Sequence, residues 1–218
     1  MTASFPSLQF DEAMHTYSEG GIIRPSVTQC LKSENFINFD GIPAHILERK
    51  KRLGTLVHQA TQLWDEGVSL EQFDIPLEVY DYLEGYVNFR EDCDFSPQVI
   101  ERRSIGDCCG MRFGMCPDRI GNINGELHVL ELKCGASEHP AWGLQCAAYD
   151  MGNGNGKPIP TMKRVALQLG PKFKRGYKLH PYDDRSDYMV WLNCLANTIW
   201  KMNHTVYSPE PIEERIAA

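Results

Sequence analysis

The chain has 218 residues, 42% of them apolar and 23% charged, a size and balance that let one ordinary domain bury a core and that exclude global disorder. Its 22 basic and 29 acidic residues leave a net charge of −7, which argues against indiscriminate coating of nucleic acid while leaving room for a local basic patch. The longest unbroken apolar run, Tyr188 to Leu192, is far short of the roughly 20 residues a membrane span needs, and the opening MTASFPSLQF has neither a basic start nor an apolar stretch, so a soluble, cytosolic protein without a membrane segment is expected.

Residues 10–24 place Gly20-Gly21 between short β-like runs, the pattern of a hairpin. Ser26 then offers an N-cap for a short helix through Leu31. From Pro43 to Glu66, apolar residues recur close to the helical period at Ile46, Leu53, Leu56, Val57, Ala60, Leu63 and Trp64, with Gly54 among them. That spacing predicts a long amphipathic helix, broken once near Leu53. A second, acidic helix is expected from Pro76 to about Asp92. The texture then turns to strands at Gln98–Arg103, Met111–Met115 running on toward Ile120, and Leu127–Cys134, with a turn at 122–125, together a β meander. A helix from about Glu138 to Asp150 follows, ended by MGNGNGKP. Strands at Arg164–Leu169 and Arg175–Leu179, joined by the basic turn GPKFKR, and a final helix from about Asp184 to Trp200 complete the order. No repeat or long linker interrupts it, so one domain is expected over 1–218, with the N-terminal hairpin and helices (about 10–92) packed on a core at about 97–200.

Charge is unevenly spread. Asp65 to Asp94 holds ten acidic residues and one Arg, whereas Lys163 to Tyr182 contains Lys163, Arg164, Lys172, Lys174, Arg175 and Lys178 and no acid. The eight cysteines form no C-x-x-C pair, so buried reduced thiols are expected rather than disulfides, a zinc ribbon or an iron–sulfur cluster.

The chemistry concentrates in GMCPDRIGNINGELHVLELKCG, residues 114–135. Asp118 ends one strand, and Glu131 and Lys133 lie two apart on the next, so both point one way while Leu132 points into the core. Two carboxylates and a backbone carbonyl suit Mg²⁺, a hard cation that takes oxygen ligands, and a neighbouring ammonium can orient water or stabilise developing charge. Hydrolysis of a phosphodiester fits that set; a surface salt bridge between Glu131 and Lys133 fits it too. Gly54 and His58 are four apart on a predicted helix, as are Gln145 and Tyr149, and Glu101 emerges from a β-like run. Singly these also read as a core histidine, a core-edge tyrosine and a solvated acid.

In chain order, the series G-x-x-x-H, E, G-x-x-x-D (Gly114 to Asp118), E-x-K and Q-x-x-x-Y resembles the PD-(D/E)XK nuclease superfamily and, within it, the RecB-type exonuclease branch with its many phage and prophage members. Pro117-Asp118 and Glu131-Leu132-Lys133 stand in literal form, and FDEAMHTYSEGGIIRPSVTQCL resembles the lead-in of phage members. The resemblance covers roughly residues 10–180. It implies an α/β fold of the restriction-endonuclease type, a central mixed β-sheet flanked by helices in the order αβββαβ. It implies Asp118, Glu131, His58 and the Leu132 carbonyl as ligands of Mg²⁺ or Mn²⁺, Lys133 as the catalytic lysine, Gln145 and Tyr149 as groups holding substrate or lysine, and Glu101 as a further acid. The four-cysteine iron–sulfur clamp of some relatives is absent from the sequence. A metal-dependent deoxyribonuclease follows as the expectation, an exonuclease of phage-type recombination, repair or DNA processing in a bacterial or phage-infected cytosol. DNA is its expected partner, with a phage recombination or single-strand-binding protein as a possible second, and Lys172, Lys174, Arg175 and Lys178 are its expected phosphate track. A non-catalytic DNA-binding protein on the same fold, and a thiol hydrolase using Cys134 or Cys146 with His139, are the rivals.

Overall fold

The computed structural model describes residues 7–12, 14–154 and 161–208. At its start β1 (Leu8–Asp11), β2 (Thr16–Glu19) and β3 (Ile22–Arg24) form a three-stranded antiparallel sheet. Gly20 and Gly21 turn β2 into β3 at φ 57° and 79°, the left-handed pair whose twist suits a two-residue hairpin. The expected hairpin is present, and β1 adds to it along β2. The helix α1 (Val27–Ser33) begins at Ser26, whose hydroxyl accepts from the Gln29 N–H at 3.2 Å while the Gln29 side chain accepts from the Ser26 N–H at 2.8 Å. This reciprocal cap satisfies two of the helix's free donors.

The next helix, α2 (Ala44–Asp65), runs 22 residues without the break expected near Leu53. A single glycine costs a helix interior only about 1 kcal/mol, and the buried residues Val57, Ala60 and Thr61 on the following turns hold the helix to the core. The acidic helix α3 (Leu77–Asp92) packs beside it.

Strands follow: β4 (Ser96–Ile100), β5 (Ser104–Cys108), β6 (Met111–Met115), β7 (Arg119–Ile123) and β8 (Glu126–Lys133), then α4 (Ala141–Gly152), β9 (Lys163–Leu169), β10 (Tyr177–Pro181) and α5 (Ser186–Asn203). The central sheet has the order β10-β9-β8-β7-β4. Its pairs are antiparallel except β8 with β9, which are parallel and joined through α4. The fold is therefore mixed α/β, a central mixed sheet flanked by helices, as expected. The meander was only partly right. Met111–Met115 does not continue into the central sheet but pairs with β5 in a separate hairpin. Pro117 has no N–H to extend a ladder, and a new strand starts at Arg119. The strand β5 itself carried too little alternation to be foreseen, having Gly106 where the Phe113 ring crosses the backbone. The Asn124-Gly125 turn between β7 and β8 takes φ 49° and 83°. The glycine-rich end expected for α4 falls partly on 155–160, outside the described residues.

The alternation along β8 divides the core. Val129 packs with Cys146, Tyr149, Trp191 and Leu195 on the side of α4 and α5, whereas Leu130 and Leu132 pack with Val57, Ala60, Tyr86 and Phe89 on the side of α2 and α3. Each such leucine, fully withdrawn from water, contributes roughly 1.5–3 kcal/mol. Glu131 lies on the α4 side, at the edge of this apolar cluster and paired with Lys133.

Candidate functional site

Two neighbouring strands and two helices bring the charged groups together. Asp118 stands at the entry to β7, and its Oδ2 accepts the Leu132 N–H from β8 at 2.7 Å, which fixes the carboxylate against the adjacent strand. Leu132 is 1% exposed and turned to the core, as alternation requires. On the opposite side, Lys133 Nζ donates to Glu131 Oε1 and to Gln145 Oε1, both at 2.9 Å, and Gln145 Nε2 donates to the Tyr149 hydroxyl at 3.3 Å. Gln145 and Tyr149 are one turn apart on α4, so one helix face holds both. From α2, His58 Nδ1 comes within 3.1 Å of Glu101 Oε1 and 3.4 Å of Asp118 Oδ1. All eight of these residues are candidates from the sequence, and the fold gathers them. Glu131, 3% exposed, is not half of a surface salt bridge.

Glu101 is held in an unusual way. Its φ of 42° is left-handed, rare for a non-glycine residue, and its N–H donates to the Asp118 carbonyl at 3.1 Å. The strand β4 ends one residue earlier for this reason, short of the expected Arg103. Strain of this kind gathers where a side chain must be aimed.

Crowded carboxylates in a space with little water oppose their own ionisation. Burial, with Asp118 nearby, pushes the Glu131 carboxyl up to about 7. Burial also raises Asp118, helped by Glu101 and opposed by His58 and Lys133. Burial works against charge on His58, but Asp118, Glu101 and Glu131 outweigh it and lift the imidazole to about 9. Burial likewise disfavours the Lys133 ammonium, and the Glu131 and Asp118 carboxylates overcome that and raise it. The cluster holds protons where it could hold a cation.

His58, Glu101 and Asp118 each offer a ligand atom within 4.8 Å of the others. Glu131 Oε2 is buried and has no hydrogen-bond partner, a costly state for a carboxylate oxygen unless something positive meets it. Oxygen donors with one imidazole suit Mg²⁺ or Mn²⁺. A cleft of about 460 Å³ opens onto His58 and Glu101, lined besides by Gly54, Thr55, Arg103 and Cys116, with Asp118 and Glu131 buried behind them. A Cβ at Gly54 would meet no atom within 4 Å, so this glycine leaves the cleft open beside His58.

One buried network went unforeseen. Arg119, whose side chain is fully buried, donates to the Asp118 carbonyl at 2.6 Å, to Glu101 Oε1 at 3.3 Å, to Asp65 Oδ2 at 2.6 Å and to Thr61 Oγ1 at 3.2 Å. Asp65, equally buried, also accepts from Tyr86 at 2.7 Å and pairs with Arg90. The only signal in the sequence is a charged residue at the start of a short β-like run, Arg119 to Ile123. Gly114 also has a role beyond the motif spacing: a Cβ there would stand 2.1 Å from the Tyr17 ring, so the first sheet docks directly on β6.

The basic turn is placed differently. Arg175 makes a two-pronged pair with Asp92 of α3 at 3.0 and 2.9 Å, and Lys172 Nζ donates to the Ala136 carbonyl. Lys174 and Lys178 are exposed and have no ion pair among the described residues. None of the four joins the metal-ligating cluster. The thiol chemistry has no support: burial pushes Cys134 up to about 12 and Cys146 higher still, and His139 Nδ1 is engaged by the Ala141 N–H.

No family model and no curated protein matches the chain. Among solved structures, one from Eubacterium rectale described as a "putative exonuclease" is similar at 13% identity and a TM-score of 0.49, covering 87% of this chain and 78% of its own. Another, SSO0001, is similar at 14% identity and a TM-score of 0.38, covering 84% of this chain and 85% of its own. These are partial likenesses of outline, and the chemistry has to be argued from the residues above.

Proposed function

We propose that the protein is a metal-dependent deoxyribonuclease of the PD-(D/E)XK type and RecB-type branch, an exonuclease serving phage-type recombination, repair or DNA processing. The observation that carries this reading is the cluster of His58, Glu101 and Asp118 ligand atoms, with Glu131 near enough to feel Asp118 and His58, one of its oxygens buried without a partner and the other on Lys133. A divalent cation bound there would polarise the phosphodiester and acidify an attacking water. Asp118, Glu131, His58 and the Leu132 carbonyl are the proposed ligands, with Glu101 as an additional acid. To ligate, His58 gives up the proton that the carboxylates now hold on it, so cation uptake releases protons. Lys133, held between Glu131 and Gln145, presents its ammonium to the water or to the phosphoryl oxygen. Tyr149 accepts from the Gln145 amide and so keeps the Gln145 oxygen turned to Lys133.

End-labelled single- and double-stranded DNA, incubated with the protein and Mg²⁺, Mn²⁺ or EDTA, tests the reading. Cleavage with either cation and none in EDTA is expected. DNA that is bound but left intact with both cations would establish a non-catalytic DNA-binding protein instead.

A further inference from the structure

We propose that a groove at the N-terminal end of α2 binds the unpaired end of a DNA strand and leads it into the metal cleft. The proposal rests on the nuclease reading above. The groove, about 960 Å³, lies between the end of α1, the loop at 35–43, the first turns of α2 and Tyr207. Ala44, Leu47, Glu48 and Lys51 of α2 line it, while Gly54, Thr55, His58 and Gln62 line the metal cleft. At about 100° per residue these two sets fall on one face of the helix. Groove and cleft thus follow one another along α2, and Lys51, the last groove residue on that helix, stands two turns or about 10 Å from His58.

The lining suits unpaired nucleotides. Phe39 is 42% exposed although it lies on the groove, and the Lys32 ammonium sits 5.6 Å from its ring centre. A half-wet aromatic ring beside a cation gives a base something to stack on, and a duplex keeps its bases occupied with one another. Of the four basic residues at 49–52, Lys51 alone lines the groove, and it is exposed with no ion pair among the described residues. Asp40 and Glu48 lie on the same rim, so the surface is not a general trap for polyanions. Binding there depends on stacking together with a small number of phosphate contacts.

The test is a fluorescence titration of a short labelled oligothymidylate, and of a duplex of equal length, against the full chain in EDTA at several salt concentrations. Phe39→Ala is expected to weaken single-strand binding about tenfold, the size of one lost base–aromatic stack. Lys51→Gln is expected to reduce the slope of log affinity against log salt by about 0.7, one phosphate contact. Duplex binding should change little in either variant, and thermal melts should stay close to wild type because Lys51 is exposed and Phe39 is only half buried. Single-strand binding unchanged in both variants, or a duplex that loses as much as the single strand, overturns the groove. If wild type fails to cleave with Mg²⁺ or Mn²⁺ while Phe39→Ala still weakens single-strand binding, the nuclease reading fails and the groove stands.

Discussion

Two of the places where positive charge meets negative in this fold behave oppositely. On the surface, Arg175 and Asp92 face each other across the turn before β10 and satisfy each other fully. In the cleft, Lys133 meets Glu131, but one oxygen of that carboxylate remains without a partner in a buried setting, and further acids and an imidazole crowd close. The first arrangement is complete as it stands. The second is arranged for a visitor. A cluster of like charges in sequence is therefore a weaker guide to chemistry than one unsatisfied atom in the interior.

Breaking the interior cluster should have the largest effects. In Asp118→Ala or Glu131→Ala, cleavage is expected to disappear and Mn²⁺ to lose its ability to raise the melting temperature. Asp118→Ala also strips the Leu132 N–H of its acceptor, adding about 1–3 kcal/mol of destabilisation. Lys133→Ala separates ligation from turnover: a nuclease assay should show a fall of roughly 10² to 10⁴, while calorimetric titration shows cation binding kept or slightly tightened. Near wild-type turnover in that variant would refute the proposed role of the lysine. His58→Ala should lower activity with Mn²⁺ more than with Mg²⁺, by about tenfold in relative terms, because imidazole suits Mn²⁺ better. A loss of melting temperature with unchanged metal preference would make His58 a packing residue.

Acidity sharpens the comparison further. Glu131 rises from the ordinary 4.5 to about 7 in the folded chain, and His58 from 6.5 to about 9. A group raised on folding contributes stability that is full below its unfolded value and is lost as pH climbs through its folded value. For Glu131 that window is 4.5 to about 7, and for His58 it is 6.5 to about 9. A cation takes the place of those protons, so the Mn²⁺-induced rise in melting temperature should be small at about pH 5 and large at about pH 9. A rise of equal size at both would place the cation elsewhere. The smallest effect is expected on the surface. Arg175→Gln should leave the salt slope of DNA binding unchanged, since Asp92 already holds the guanidinium, whereas Lys174→Gln and Lys178→Gln should each lower it by about 0.7 to 0.9 if phosphates follow the turn.

What was legible in the sequence was what strand alternation and helical spacing determine locally. Glu131 and Lys133 had to share a side, Gln145 had to stand over Tyr149, and Ser26 had to cap a helix. Strand partners were not legible. Met111–Met115 is as β-like as its neighbours, and only the break at Pro117 and the backbone approach at Gly106 send it to a separate hairpin. Gly54 misled in the other direction, since a helix held by its buried side does not break at one glycine in open space. Arg119 and Asp65 stayed hidden because they are 54 positions apart and neither has a local pattern.

The Arg119–Asp65 pair also bears on whether the site could be transplanted. An engineer copying β7 and β8 with Asp118, Glu131 and Lys133 into another sheet would carry the three motif residues and leave behind what aims them. Arg119 reaches both Glu101 and the backbone of Asp118, and its closest counter-charge is an acid on α2 that Tyr86 and Arg90 of α3 hold in place. Without that acid the graft would enclose an unmatched guanidinium, a fault of about 3–5 kcal/mol in comparable buried pairs. The smallest portable unit is thus the strand pair with the end of β4, the two helices α2 and α3, and α4 with the Gln145 that holds Lys133.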